Sequence, residues 1–411
     1  MARETLISAV DIGSSTVRVA SAILRADGGM RLVALSHSPT LGVRRGQIID
    51  IDEVASCLRI VLDDAEKQSG YHISRATCLV SGPQTEITRS IGRVAVSRAD
   101  GEVSREDTER VAESARGTTL PQNKDIIHTV PLSYTLDEET QIEDPVGMKG
   151  VRLEIDALLV LASSPVLRAL TKTFQEARIQ PEGWMFGPLA VSCATLSKKQ
   201  KEVGVAIVNI GGATTTVSVF YEGRLHSSHV VSLGGVHITY DIAIGLKSTL
   251  DIAEQVKLEY GHANSARVSK REQVVMNEWG MEDVVVSRYA LSRICEARMR
   301  DILGEVKKEL KPHLRRTALP GGVVLTGGAA GMPGVKEVAE RELKLPVHKG
   351  IIRGVESESH DMRDLGFCAA IGAVLTSRND SLRTSGPPLS LILDQSNLSR
   401  RLKGWIQEFL P

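Results

Sequence analysis

Aromatic side chains are scarce. Phe, Trp and Tyr together make up 3% of the 411 residues, too few for the stacking platforms that hold unpaired bases. A dominant charge is also lacking, since 50 Lys and Arg balance 50 Asp and Glu. No global basic field is available for a nucleic-acid backbone and no acidic field for a basic partner, so no nucleic acid is expected. Cysteine is sparse and unpatterned. Cys57, Cys78, Cys193, Cys295 and Cys368 are odd in number, with no CxxC or Cys/His spacing that suggests zinc. They read as small buried apolar residues of a reduced cytoplasm. No apolar run approaches the ~18 residues of a membrane span, and the opening MARETLISAVDIG has no secretion-signal core. These absences leave a cytoplasmic protein, soluble or peripheral to a membrane, long enough for more than one domain.

What is present is a repeated turn. Residues 203–221 read VGVAIVNIGGATTTVSVFY: an apolar β-branched run, two glycines, then hydroxyls leading into a second run. The pattern predicts strand, tight turn, strand. A glycine turn lets backbone N–H groups converge without Cβ interference, which suits a phosphate; an ordinary hairpin is the alternative. Near the N-terminus, residues 6–24 repeat the arrangement as DIGSST between two apolar runs. Two copies half a chain apart point to an internal duplication of a phosphate-gripping hairpin.

Between the copies, residues 50–69 carry Val54, Leu58, Val61, Leu62 and Ala65 at helical spacing. From 85 to 161 short alternating runs surround a helix at 104–116 that opens like a capping box, Ser104-x-x-Asp107. This predicts a small inserted α/β module. After the second copy come helices at 250–260 and 289–310, the latter expected to stop at Pro312. A strand at 321–326 ends in Gly327-Gly328-Ala329. A polar linker covers 377–396, and a last helix 397–411.

Three glycine turns in this order, DIGSSTVR, VNIGGATTT and VLTGGAA, resemble the two phosphate loops and the adenosine loop of the actin/Hsp70/sugar-kinase superfamily. GQIIDID, LPQNKDIIH, IEDPVGMKGVRLE, AEQVKLEYG and the terminal helix resemble, more specifically, the FtsA family of actin-like bacterial division proteins. The resemblance covers nearly the whole chain. It implies an α/β, actin-like (ribonuclease H-like), duplicated two-domain fold around a nucleotide cleft. Its parts would be subdomain 1A at 1–84 and 162–197, an FtsA-type insert 1C at 85–161, 2A at 198–229 and 304–376, and 2B at 230–303.

The resemblance also assigns residues. ATP phosphates would rest on Gly13, Ser14, Ser15 and Thr16 and on Gly211, Gly212, Ala213, Thr214 and Thr215, with Gly234 and Gly235 beside them. Asp11 would hold Mg²⁺ through water, as a hard carboxylate can. Arg18 lies where a basic phosphate contact is common, or is a solvated strand residue. Glu254 and Lys257, at i, i+3 on one helix face, would grip ribose and adenine, or form a surface ion pair. Gly327, Gly328 and Ala329 would close over the adenosine. Two positions depart from the pattern. Asn209 stands where the second loop normally begins with Asp, and Gly187, in WMFGPL, stands where an acid usually precedes the Pro. Both changes weaken the polar set that hydrolysis uses, so ATP is expected to be bound and cleaved slowly or not at all.

The terminal helix can be read without the family. At about 100° per residue, Leu398, Leu402, Trp405, Ile406, Phe409 and Leu410 share one face, with Arg401 and Lys403 flanking it. This suits an interfacial anchor on an anionic membrane or a helix docked on protein; the resemblance favours the membrane. It further implies self-association into filaments, contacts of the insert with other division proteins, and a location on the cytoplasmic face of the cell membrane at midcell. It also implies capture of the C-terminal peptide of tubulin-like FtsZ, with Arg298 as a contact or simply an exposed helix charge. The competing readings are an active ATPase filament, a sugar-kinase relative, and another actin-like membrane-associated assembly protein of the pilus type.

Overall fold

Alternating β-branched and small apolar residues start the chain as a meander of β1 (Thr5–Ile12), β2 (Thr16–Leu24) and β3 (Met30–Pro39). This is a computed structural model, and it describes residues 5–25, 27–117, 121–277, 284–356 and 364–377. A two-residue hairpin of β4 (Val43–Arg44) and β5 (Gln47–Ile48) follows. Helix α1 (Ile51–Ser69) starts where the Asp50 carboxylate accepts the Glu53 N–H at 3.0 Å, and ends at left-handed Gly70, φ 74°. Its buried face holds Val54, Leu58, Val61, Leu62 and Ala65, the set its spacing predicts. Strand β6 (Arg75–Val80) then runs parallel to β1.

The insert has a small core of its own and shares the main core at its base. It consists of β7 (Thr85–Ala95), α2 (Arg105–Arg116), β8 (Lys124–Leu136), β9 (Glu139–Ile142) and β10 (Arg152–Ser163). Its antiparallel sheet has the order β7-β10-β8-β9. Val103, Val111, Ala115, Leu153, Ile155 and Ala157 give it a core of its own. The expected capping box forms. Ser104 Oγ accepts from Asp107 N at 3.2 Å, and the Asp107 carboxylate accepts from Ser104 N at 2.9 Å. The chain then re-enters the first lobe through α3 (Ser164–Glu176), β11 (Gln180–Phe186) and α4 (Gly187–Thr195), giving a sheet of order β11-β6-β1-β2-β3.

The second lobe begins with α5 (Lys198–Val203) and the meander β12 (Val205–Ile210), β13 (Thr215–Tyr221) and β14 (Arg224–Val231). Helices α6 (Gly235–Leu246) and α7 (Leu250–Tyr260), strands β15 (Gln273–Val275) and β16 (Val285–Ser287) and helix α8 (Arg288–Thr317) form its outer part. Strand β17 (Val323–Thr326), α9 (Val335–Leu343) and β18 (Val347–Lys349) complete it, and α10 (Cys368–Thr376) returns to the first lobe, where it packs on α4, β1 and β2. The sheet order is β14-β13-β12-β17-β18. Each lobe thus has an antiparallel three-strand meander whose first strand lies parallel to a later one, β1 to β6 and β12 to β17. The repeat seen in the sequence is a repeat of fold.

One expectation fails. Pro312 does not stop α8, which runs through it to Thr317. A proline in a helix interior forfeits one backbone hydrogen bond. Here the residues beyond it are held by other contacts: His313 Nε2 lies 2.8 Å from Ser227 Oγ, and Leu314 packs on the core. Pro312 itself faces solvent. Among the described residues no helix is long and apolar enough to cross a membrane. The predicted terminal helix, with Leu398, Arg401, Leu402, Lys403, Trp405, Ile406, Phe409 and Leu410, lies outside the described residues, as does the linker beyond Ser377.

Candidate functional site

The two repeated turns close in the same way. Gly13 N donates to Thr16 O at 3.1 Å between β1 and β2, and Gly211 N donates to Thr214 O at 2.9 Å between β12 and β13. The loops face each other. A Cβ placed on Gly212 would stand 2.2 Å from Ser15 Oγ. The second loop is braced from behind by α6, whose first N–H groups, Gly235 N and Val236 N, donate to Gly211 O at 2.9 Å and Gly212 O at 2.8 Å. Between the lobes lies a cavity of about 560 Å³, in the range of small-molecule sites.

The cavity draws its polar groups from both lobes. Asp11 and Asn209 occupy the same place in the duplicated halves, next to last in β1 and in β12. Burial pushes the Asp11 carboxyl above its ordinary range, and the Arg18 guanidinium, its cross-strand neighbour, opposes that shift. Arg18 lies over the Phe367 ring at 5.6 Å, with its terminal nitrogen 3.8 Å from the Asp364 carboxylate. Its Nε is buried without a partner. On α7, Lys257 Nζ is 2.6 Å from Glu254 Oε2, 2.9 Å from Thr239 Oγ1 and 3.3 Å from Gly235 O. This pair forms part of the cavity wall, with Lys257 buried, and is more than a surface ion pair.

Most of the residues singled out by sequence converge here: Asp11, Gly13 to Thr16, Arg18, Asn209, Gly211, Gly212, Thr214, Gly235, Glu254, Lys257 and Gly327 to Ala329 line the cavity. Three do not line it: Ala213, Gly234 and Thr215. Thr215 is fully buried and its hydroxyl donates to Leu233 O at 2.8 Å, bracing the loop from below. Gly187 also lies off the cavity, at the start of α4, where a Cβ would meet Ser81 Oγ at 2.0 Å. Arg298 is already engaged, its fork closing on both oxygens of Asp241 at 2.6 and 2.9 Å.

The chain matches two family profiles, one described as "Cell division protein FtsA" over residues 206–372 and one as "SHS2 domain inserted in FTSA" over residues 82–161. Cell division protein FtsA of Bacillus subtilis is 36% identical over 345 residues, 84% of this chain and 78% of its own length. The chain belongs to the FtsA family. The FtsA of Neisseria meningitidis is 30% identical over 98% of this chain and 99% of its own. Among solved structures, the PilM–PilN type IV pilus biogenesis complex superposes with a TM-score of 0.65 at 16% identity, covering 91% of this chain and 98% of that one. MreB5 of Spiroplasma citri, solved bound to ADP, gives 0.53 at 12% identity, over 92% and 97%. These likenesses establish the actin-like fold.

Within this FtsA-family cleft, several lining residues escape the sequence reading: His37, Gly46, Ser81, Gly82, Asp364 and Gly366. One signal does exist for Ser81 and Gly82. They follow the carboxyl end of β6, a parallel strand beside β1, where open α/β sheets gather ligands. Asp364 and Gly366 reach the cleft only because the segment before α10 folds against Arg18, a long-range contact with no local signature.

Proposed function

We propose that this FtsA-family chain is an ATP-binding, self-associating adaptor of the bacterial division ring, one that ties FtsZ filaments to the cytoplasmic face of the membrane at midcell. The observation that carries the nucleotide part is the pair of duplicated glycine loops meeting across a cleft. Their converging N–H groups suit the phosphates of ATP, and the unpartnered Nε of Arg18 is a donor in the same wall. Lys257 and Glu254 would address the nucleoside end. Among the described residues no cluster of three or more His, Cys, Asp or Glu is placed to hold a metal. Mg²⁺ would therefore rest on Asp11 through water and on the phosphates themselves, where it would neutralise phosphate charge.

Binding without brisk cleavage follows from the same residues. Asn209 offers an amide where a second acid would orient a water, and Gly187 offers no side chain at all. An active ATPase filament would need one of those acids. The membrane part rests on the amphipathic 397–411 segment, and the division part on family membership. One short interfacial helix binds weakly, so stable attachment would come from many copies in a filament. The insert, with its own core, is suited to act as an independent contact surface for neighbouring subunits and other division proteins. The deciding test is a titration of purified protein with Mg·ATP, followed by a turnover assay. Saturable binding with turnover near background supports the reading; brisk turnover that Asp11→Ala removes overturns its slow-hydrolysis part, and absence of binding overturns its nucleotide part.

A further inference from the structure

The β4–β5 hairpin reaches the place where the two glycine loops meet. Its turn residues, Arg45 at φ 51° and Gly46 at φ 76°, are both left-handed, which makes a tight two-residue turn. A Cβ placed on Gly46 would lie 3.9 Å from Ser14 Oγ of the first loop and 3.9 Å from Thr214 Cγ2 of the second. Gly46 also lines the cleft.

The hairpin is pinned at both ends. At its base, Ile49 N and Asp50 N both donate to Gly42 O, at 2.8 and 3.1 Å, which fixes it to the start of α1. At its tip, the Gln84 amide donates to Gly46 O at 3.4 Å, and Pro83 stands 3.3 Å from the Cβ position. Arg44 and Arg45 are exposed, and neither is taken up by an ion pair among the described residues. Arg45 precedes Gly46 in the turn, and although its side chain is not among those that line the cleft, a guanidinium with no carboxylate of its own has a vacant fork for phosphate oxygens.

We propose that Arg45 is a phosphate-binding residue that closes onto the terminal phosphate of a nucleoside triphosphate and makes the cleft prefer triphosphate over diphosphate. The inference rests on the reading of the cleft as a nucleotide site. It adds a third wall to the two glycine loops, with a cation that senses the terminal phosphate. Arg44 lies one residue further from the Gly46 contact, opposite Gln47, and serves as a control.

The test is equilibrium binding of fluorescent ATP and ADP analogues, with Mg²⁺, to the full chain and to Arg45→Ala, Arg45→Lys and Arg44→Ala. Thermal unfolding confirms that each variant is folded. A charge-assisted contact predicts about a tenfold loss of triphosphate affinity in Arg45→Ala, diphosphate affinity within about threefold, partial retention in Arg45→Lys and no selective loss in Arg44→Ala. Equal losses for both nucleotides, unchanged affinity for both, or a selective loss that appears with Arg44→Ala instead would overturn the assignment. Wild-type protein that binds neither analogue would overturn the nucleotide reading itself, and is told apart because every variant would then be silent too.

Discussion

Gly212 and Ser15 meet across the cleft, one from each lobe, and the space between them is too small for a side chain. A Cβ on Gly212 would stand 2.2 Å from Ser15 Oγ and 3.0 Å from Ser15 Cβ. At this point the two loops therefore meet through backbone and a single hydroxyl. Any group added at this point pushes the loops apart and spoils the convergence of their N–H donors.

Gly212→Val should therefore weaken ATP binding by at least about tenfold while leaving the melting temperature within a few degrees, because both loops are at the surface of the cleft and neither is in the core. Ser15→Gly alone should cost little, and the double variant should regain part of the loss. Such non-additivity is the mark of residues in contact. Strictly additive losses in a binding titration would show that the loops do not meet in solution.

Asn209→Asp restores an acid at the position that mirrors Asp11 in the duplicated half. It should raise steady-state turnover about tenfold and sharpen its dependence on Mg²⁺, measured by phosphate release. The gain stays partial because Gly187 still supplies nothing. Gly187→Glu cannot complete the set by itself, since its Cβ would meet Ser81 Oγ at 2.0 Å. That variant should lose stability, and Ser81→Gly should recover some of it. Turnover unchanged in Asn209→Asp would count against the missing acid as the reason for slow hydrolysis.

The Gly187 contact shows where sequence reading stops. Glycine turns, capped α1 and the Ser104–Asp107 box are local: the residues that make them sit within a few positions of one another, so their chemistry is visible in the chain. The duplication is visible for the same reason, as two copies of one local pattern. By its neighbours in sequence alone, Gly187 reads as a lost acid. In the fold it is also the residue that lets α4 start beside Ser81. The stop expected at Pro312 fails in the same manner, because Ser227 and the core hold the helix beyond it. The Arg18–Asp364 pair likewise joins residues far apart in the chain.

Trp405→Glu should abolish co-sedimentation with vesicles containing anionic lipid, with the melting temperature of the folded lobes unchanged. The residue lies on the apolar face of the predicted terminal helix, where one charge removes most of the gain from burial at an interface. Arg401→Glu with Lys403→Glu should weaken binding in proportion to the anionic lipid content, since both flank that face. Sedimentation equal to wild type in Trp405→Glu would favour the docked-helix alternative.

His128 offers a prediction about the joint between insert and core. It sits in β8 of the insert, is buried, and its Nε2 accepts the Phe186 N–H at 3.0 Å, immediately before α4. Burial lowers its pKa from 6.5 to about 4, so the folded state keeps the ring neutral, with the proton on Nδ1. The depressed value fixes the sign. Above about pH 6.5 the ring is neutral in both states and its contribution is fully present. Between 6.5 and 4 the unfolded chain binds a proton that the folded chain does not, so stability falls as pH falls and levels off below about 4. At 1.36 kcal/mol per unit the loss is about 3 kcal/mol. His226, also lowered to about 4 by burial, titrates over the same window, so the wild type should show the slopes of both. His128→Gln keeps an acceptor for Phe186 without a titrating group. It should flatten the pH dependence of urea unfolding between 6.5 and 4 by about one proton, while stability at pH 8 changes by no more than about 1.5 kcal/mol. A slope that stays the same would mean that His128 is protonated in the folded protein and that the insert is joined to α4 by some other contact.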